Sequence, residues 1–91
     1  MRYAYRKSFD RAFRKLTAAE QLQAESSLSR LFDFLERKSS LMSGLGLKPI
    51  GKNYWEIRAG IKIRILFEME KDLITFYFAG NHDEIRKFIR S

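Results

Sequence analysis

Ile61-Lys62-Ile63-Arg64-Ile65-Leu66-Phe67-Glu68-Met69-Glu70, then Lys71-Asp72, then Leu73-Ile74-Thr75-Phe76-Tyr77-Phe78-Ala79-Gly80: two alternating runs flank two polar residues. A period of two marks a strand with one buried face. Lys71-Asp72 has the length of a two-residue hairpin turn. That turn pairs Glu70 with Leu73, Met69 with Ile74, Phe67 with Phe76 and Ile65 with Phe78, which gathers the large apolar side chains on one face. Upstream, Tyr54-Trp55-Glu56-Ile57-Arg58 also alternates. A two-residue turn there would set Ile57 against Lys62 and mix charge into the buried face. A three-residue turn, Ala59-Gly60-Ile61 with Gly60 at positive φ, instead pairs Ile57 with Ile63 and Trp55 with Ile65. Two successive hairpins make a three-stranded antiparallel meander.

Working outward, residues 2–7 alternate loosely and read as a short strand. Ser8 is expected to cap a short helix with Phe9, Ala12, Phe13 and Leu16 on one face. Thr17-Ala18-Ala19-Glu20 has the spacing of a capping box, in which hydroxyl and carboxylate satisfy free backbone donors reciprocally. The helix after it should run to about Arg37, with Ala24, Leu28, Leu31, Phe32 and Leu35 as its apolar stripe. Ser39 to Lys52 reads as a connecting loop. Beyond the meander, Asn81-His82-Asp83-Glu84 offers a second cap for a last helix bearing Ile85, Phe88 and Ile89. The expectation is one α+β domain over residues 1–91: a strand, a helical hairpin, the meander and a C-terminal helix, with the helices on one sheet face.

The composition narrows the chemistry. In 91 residues there are 18 Lys plus Arg and 11 Asp plus Glu, a net charge of +7, with one His and no Cys. Disulfides and thiolate or multi-His metal sites are excluded, and neither a metal nor a cofactor is expected. No apolar run is long enough to span a bilayer, and no secretory leader is visible, so a cytoplasmic protein with no membrane partner is expected. The basic excess is spread along the chain and favours a polyanionic partner, nucleic acid first. A soluble basic surface with no partner accounts for the charge equally well.

The register fixes the second sheet face. Tyr54, Glu56, Arg58, Lys62, Arg64, Leu66, Glu68, Thr75, Tyr77 and Ala79 point away from the helices. Arg58 lies across from Lys62, Glu56 across from Arg64, and Arg64 across from Ala79, so the chain leaving Gly80 brings His82 to the same end. Such a face can be a solvated surface of cross-strand ion pairs, each worth roughly 0.2–1 kcal/mol. Arg58 against Lys62, however, is like against like and costs stability unless an anion lies between them. A cluster of guanidinium groups around one titratable side chain suits phosphodiester cleavage. The arginines hold the phosphate and its transition-state charge, and His82 moves a proton. His82 equally fits a plain polar surface residue at a helix start. Lys48, Lys52, Arg86 and Lys87 flank the cluster and are expected to hold RNA backbone.

These residues resemble a known family. Leu47-Lys48-Pro49-Ile50-Gly51 followed by Tyr54-Trp55-Glu56-Ile57-Arg58 is similar to the LK-P-L-G…LWELR segment of HigB- and RelE-type members of the RelE/ParE toxin superfamily. Arg64-Ile65-Leu66-Phe67 resembles that family's R-[IVL]-[IVL]-[YF] strand, and Gly80-Asn81-His82-Asp83-Glu84 its GxRxE or GxHxE segment. The resemblance implies the toxin of a type II toxin–antitoxin system, a ribosome-dependent endoribonuclease that cuts messenger RNA in the decoding site. It implies attack by the substrate's own 2′-hydroxyl, leaving a 2′,3′-cyclic phosphate, and a cognate antitoxin as protein partner. By position, Arg58 and Arg64 match phosphate-binding residues and His82 the catalytic Arg or His. Glu56 matches a position that some members fill with a basic residue, while other members use a Glu as general base. Phe88 stands where RelE-type members carry a Tyr and is left with base stacking. The same fold also serves ParE-type gyrase inhibitors and non-catalytic antitoxin-binding modules, which do not need the Arg and His set.

Overall fold

The structure is a computed structural model that describes residues 1–36 and 45–90. In chain order its elements are β1 (Arg2–Tyr5), α1 (Lys7–Arg14), α2 (Ala18–Leu35), β2 (Lys48–Gly51), β3 (Tyr54–Ala59), β4 (Ile63–Glu70), β5 (Leu73–Gly80) and α3 (His82–Arg90). The strands form one mixed sheet of five, in the order β1-β5-β4-β3-β2. The class is α+β, with the element order expected from the sequence apart from the added strand β2.

Both capping boxes form. The Thr17 hydroxyl accepts from the Glu20 amide at 3.1 Å while the Glu20 carboxylate accepts from the Thr17 amide at 2.9 Å. Asn81 and Glu84 make the same reciprocal pair, both at 2.8 Å. Ser8 does not cap α1. The cap position is Arg6, and the Ser8 hydroxyl instead donates to the Tyr77 carbonyl at 2.5 Å. That bond fastens the first turn of α1 to β5, next to the parallel ladder from Arg2↔Leu73 to Tyr5↔Phe76.

Burial of apolar side chains, roughly 25 cal/mol per Å² removed from water, holds the layers together. Ala24, Leu28 and Leu31 of α2 and Phe9 of α1 meet Ile57, Ile65, Phe67, Ile74 and Phe76 from the sheet. Helices α1 and α2 thus share one face, as expected. Helix α3, expected on that same face, instead covers part of the other, because a bulge in β5 turns Phe78 outward to stack on Phe88 with ring centroids 4.9 Å apart.

Three local expectations are corrected. Residues 48–51, read as loop, form the edge strand β2, whose Pro49 is tolerated because the outer edge needs no donor. The rest of that loop and the end of α2 at Arg37 lie outside the described residues. The first hairpin turns on Gly60-Ile61-Lys62, one residue later than expected, with Gly60 at φ +83°. Ile57 therefore pairs with Ile65 and Trp55 with Phe67. The slip is by two, so every side chain keeps its face. It puts Ala59 on the strand, fully buried, and leaves Ile61 at the tip with 91% of its surface exposed. In the second hairpin the pairing holds from Glu70↔Leu73 to Phe67↔Phe76, then a bulge skips Tyr77 and pairs Leu66 with Phe78 and Ile65 with Ala79. The bulge turns small Ala79 into the core and large Phe78 out to meet Phe88, the reverse of the expected order.

Candidate functional site

The central strands assemble a charged cluster on the face opposite α1 and α2. Glu56 is the one buried acid among the described residues, 4% exposed. A carboxylate out of water needs compensation. Arg64 supplies it diagonally across the β3–β4 pair, with Nε 3.5 Å from Glu56 Oε2. Lys48 supplies more from the other side, because β2 sets it directly opposite Glu56 with Nζ 4.0 Å from the same oxygen. Arg64 is also steadied from below, its Nη1 donating to the Ile61 carbonyl at 3.4 Å.

The corrected register changes the partners, and Arg64 meets Gly80 of β5 where Ala79 was expected. Arg58 stands across from Arg64, not from Lys62, and Glu56 across from Leu66 rather than Arg64. Directly opposed residues have Cβ atoms only ~5 Å apart, so two cationic side chains leave the ladder side by side. Arg64 is partly neutralised by Glu56. Among the described residues Arg58 makes no ion pair. Three cations (Lys48, Arg58, Arg64) against one carboxylate leave the cluster at +2, which suits a phosphodiester.

The backbone of Arg58 is held from both sides. Its amide donates to the Leu45 carbonyl, and the Ser27 hydroxyl donates to its carbonyl at 2.9 Å. Its side chain runs over Gly46, at φ +61°, where an added Cβ would lie 3.1 Å from Arg58 Nε. Glycine there serves two ends, the left-handed backbone and the room for the guanidinium.

The remaining expected residues are distributed around this cluster. His82 is exposed in the first turn of α3, two residues beyond Gly80, which pairs with Arg64. Lys62 is exposed in the β3–β4 turn at the same end of the sheet. Lys52, also exposed, sits in the β2–β3 turn and so lies at the opposite end. Arg86 and Lys87 are exposed on α3, and the half-buried Phe88 already has Phe78 against one face of its ring. Reading the sequence missed Lys48 as a direct partner of Glu56, because residues 48–51 are too short a run to show alternation.

Tyr54 and Tyr77 share the same face farther along, their rings edge to face with centroids 5.6 Å apart. The Tyr77 hydroxyl donates to Glu68 Oε1 at 3.1 Å. Burial, and then the Glu68 carboxylate, push the Tyr77 phenol above its ordinary pKa, so it stays a protonated donor. Among the described residues no three His, Cys, Asp or Glu side chains gather as a metal-binding group, and no helix is long and apolar enough to cross a membrane.

No family model matches the sequence, and no curated protein matches it. Solved structures do. A copper-bound mutant toxin from Helicobacter pylori superposes with a TM-score of 0.72 at 20% identity, over 93% of this chain and 98% of that one. The RelB-RelE antitoxin-toxin complex from Methanococcus jannaschii contains a chain matching with a TM-score of 0.71 at 20% identity, over 93% and 96%. YafQ from E. coli strain BL21(DE3) matches with a TM-score of 0.68 at 16% identity, over 93% and 98%. The fold is that of the RelE/ParE-type toxins.

Proposed function

We propose that the chain is the toxin of a toxin–antitoxin pair and acts as an endoribonuclease on messenger RNA in the ribosomal decoding site. The observation that carries this reading is the opposed pair Arg58 and Arg64 with the buried Glu56 carboxylate at its side. A like-charge pair fixed on a rigid sheet costs stability unless an anion lies between its members, and a phosphodiester is such an anion. The fold shared with RelE and YafQ supports the same reading, and the RelB-RelE complex supports a cognate antitoxin as partner.

The residues divide the reaction among them. Arg58 and Arg64 grip the non-bridging oxygens and stabilise the extra charge of the pentacovalent transition state. Glu56 takes the proton from the substrate 2′-hydroxyl as that oxygen bonds to phosphorus. Lys48, with 60% of its side chain exposed, is the partner of Glu56 that can swing aside for the hydroxyl. The bond from phosphorus to the 5′-oxygen breaks, and His82 delivers the proton that oxygen needs. The products are a 2′,3′-cyclic phosphate and a 5′-hydroxyl. Lys52, Lys62, Arg86 and Lys87 hold the backbone to either side, and Phe88, stacked on Phe78, adds an aromatic edge for a base.

In-vitro translation with mapping of message ends tests the reading. Wild type should cut message, and Arg58→Ala should not. Translation left running, or arrested with the message intact, overturns the nuclease; gyrase poisoned in the same preparation would put the chain with the other activity of this fold.

A further inference from the structure

The face that carries the charged cluster continues past it. Three opposed pairs follow one another along β3 and β4: Arg58↔Arg64, Glu56↔Leu66 and Tyr54↔Glu68. Successive pairs are about 7 Å apart, two residues of strand rise. The character of the face changes over that distance from cationic to aromatic. At the far end the half-exposed rings of Tyr54 and Tyr77 meet edge to face, and the Arg6 guanidinium lies 5.4 Å from the Tyr77 ring centre. Fully buried Leu66 forms the floor, and Phe88 closes one side of a groove of about 290 Å³.

We infer that this groove is a stacking platform for one base of single-stranded RNA, about two nucleotides from the phosphate held by Arg58 and Arg64; the inference rests on the ribonuclease reading above. A cationic track joined to exposed aromatic rings is the combination that binds single strands, since phosphates follow the charge and bases stack on the rings. The Tyr77 ring is positioned by its edge-to-face contact with Tyr54, and its hydroxyl donates to Glu68 at 3.1 Å. Arg6, exposed beside it, supplies positive charge for the backbone of the stacked nucleotide. The bulge at Tyr77 contributes as well: it brings Tyr77 and Phe78 successively onto this face, so the platform and the wall against Phe88 come from adjacent residues. The groove is at the small end for ligand sites and takes a base rather than a larger group. A base held there gives the enzyme a preference for the neighbours of the cut, which the arginines, contacting only phosphate, cannot express.

Ribosomes programmed with short synthetic messages provide the test, with cut sites and single-turnover rates read for wild type, Tyr54→Leu/Tyr77→Leu, Tyr77→Phe and Arg58→Ala. The double variant should lose about 5- to 150-fold in rate and shift its distribution among cut sites, as expected for loss of one stacked base. Tyr77→Phe keeps the ring and should keep the wild-type distribution. An abasic nucleotide walked through the message should slow wild type at one position near the cut, and it serves as the measurement should the double variant not fold. Wild-type rates and cut sites in the double variant, or no abasic position that slows wild type, would overturn the platform while leaving the nuclease standing. Failure of wild type to cut any message has a different signature and removes platform and nuclease together.

Discussion

Arg58 and Arg64 look alike in the sequence and differ in what surrounds them. Arg64 compensates the buried Glu56, so Arg64→Ala leaves that carboxylate to the more distant Lys48 and should lower stability as well as the cleavage rate, the latter by about 10²–10³ for one electrostatic donor. Arg58 opposes another cation and pairs with no acid among the described residues. Arg58→Ala should therefore lose a comparable factor in rate while chemical denaturation finds stability unchanged or raised; a destabilised Arg58→Ala would mean that the residue is structural. His82 is the one histidine of the chain, and an imidazole can both give and take a proton. Exchanging it for Gln keeps a hydrogen-bonding group but no proton shuttle, and should slow single-turnover cleavage by about 10²–10⁴. The matching observation is a pH–rate profile from 5.5 to 8.5 that inflects in wild type and is flat in His82→Gln. Identical profiles would take His82 out of the chemistry.

At the level of elements, the capping box at Thr17 decides where α2 begins, and Thr17→Ala should cost about 1 kcal/mol in urea unfolding without touching cleavage. Gly46 joins an element's end to the site. Gly46→Ala strains a left-handed backbone by roughly 1–2 kcal/mol and also pushes on Arg58, so both stability and rate should fall, unlike in Arg58→Ala. How far the sequence reveals these elements follows from the length of each pattern. Eight alternating residues in β4 and eight in β5 specify strand type, face and the Lys71-Asp72 turn. The exact opposition of Arg58 and Arg64 was not legible, because a slip of two residues preserves every face and hydrophobicity cannot tell the two registers apart. Burial of Ala59 settles it, and that depends on α2. The bulge was hidden for a similar reason: Tyr77, Phe78 and Ala79 are all acceptable on either face until Phe88 arrives to cover one of them.

On the whole-molecule scale, a +7 chain binding RNA should release counterions, and each neutralised phosphate adds about one unit to the salt slope. Replacing Lys48 and Lys52 by Gln should flatten the slope of ribosome or RNA binding by about two units, provided that both touch backbone. An unchanged slope makes them solubilising charges only. Alkaline stability depends on Tyr3, whose hydroxyl donates to Glu36 Oε2 at 2.8 Å and links β1 to the end of α2. Burial first, and Glu36 second, push this phenol up to about 12. Its folded pKa is thus above the unfolded value near 10, so its contribution is whole below pH ~10 and is lost as pH rises towards 12. Tyr3→Phe should unfold with a shallower pH dependence across that window, measured by denaturant midpoints. The parallel pairing of β1 with β5 also sets a timetable. Residues 2–5 are made before their neighbours in the sheet, residues 73–76. A nascent chain holding every arginine of the cluster still lacks the strand that joins its beginning to its middle. Until residues 73–76 are made, the two arginines stand on a sheet still open at the edge of β4.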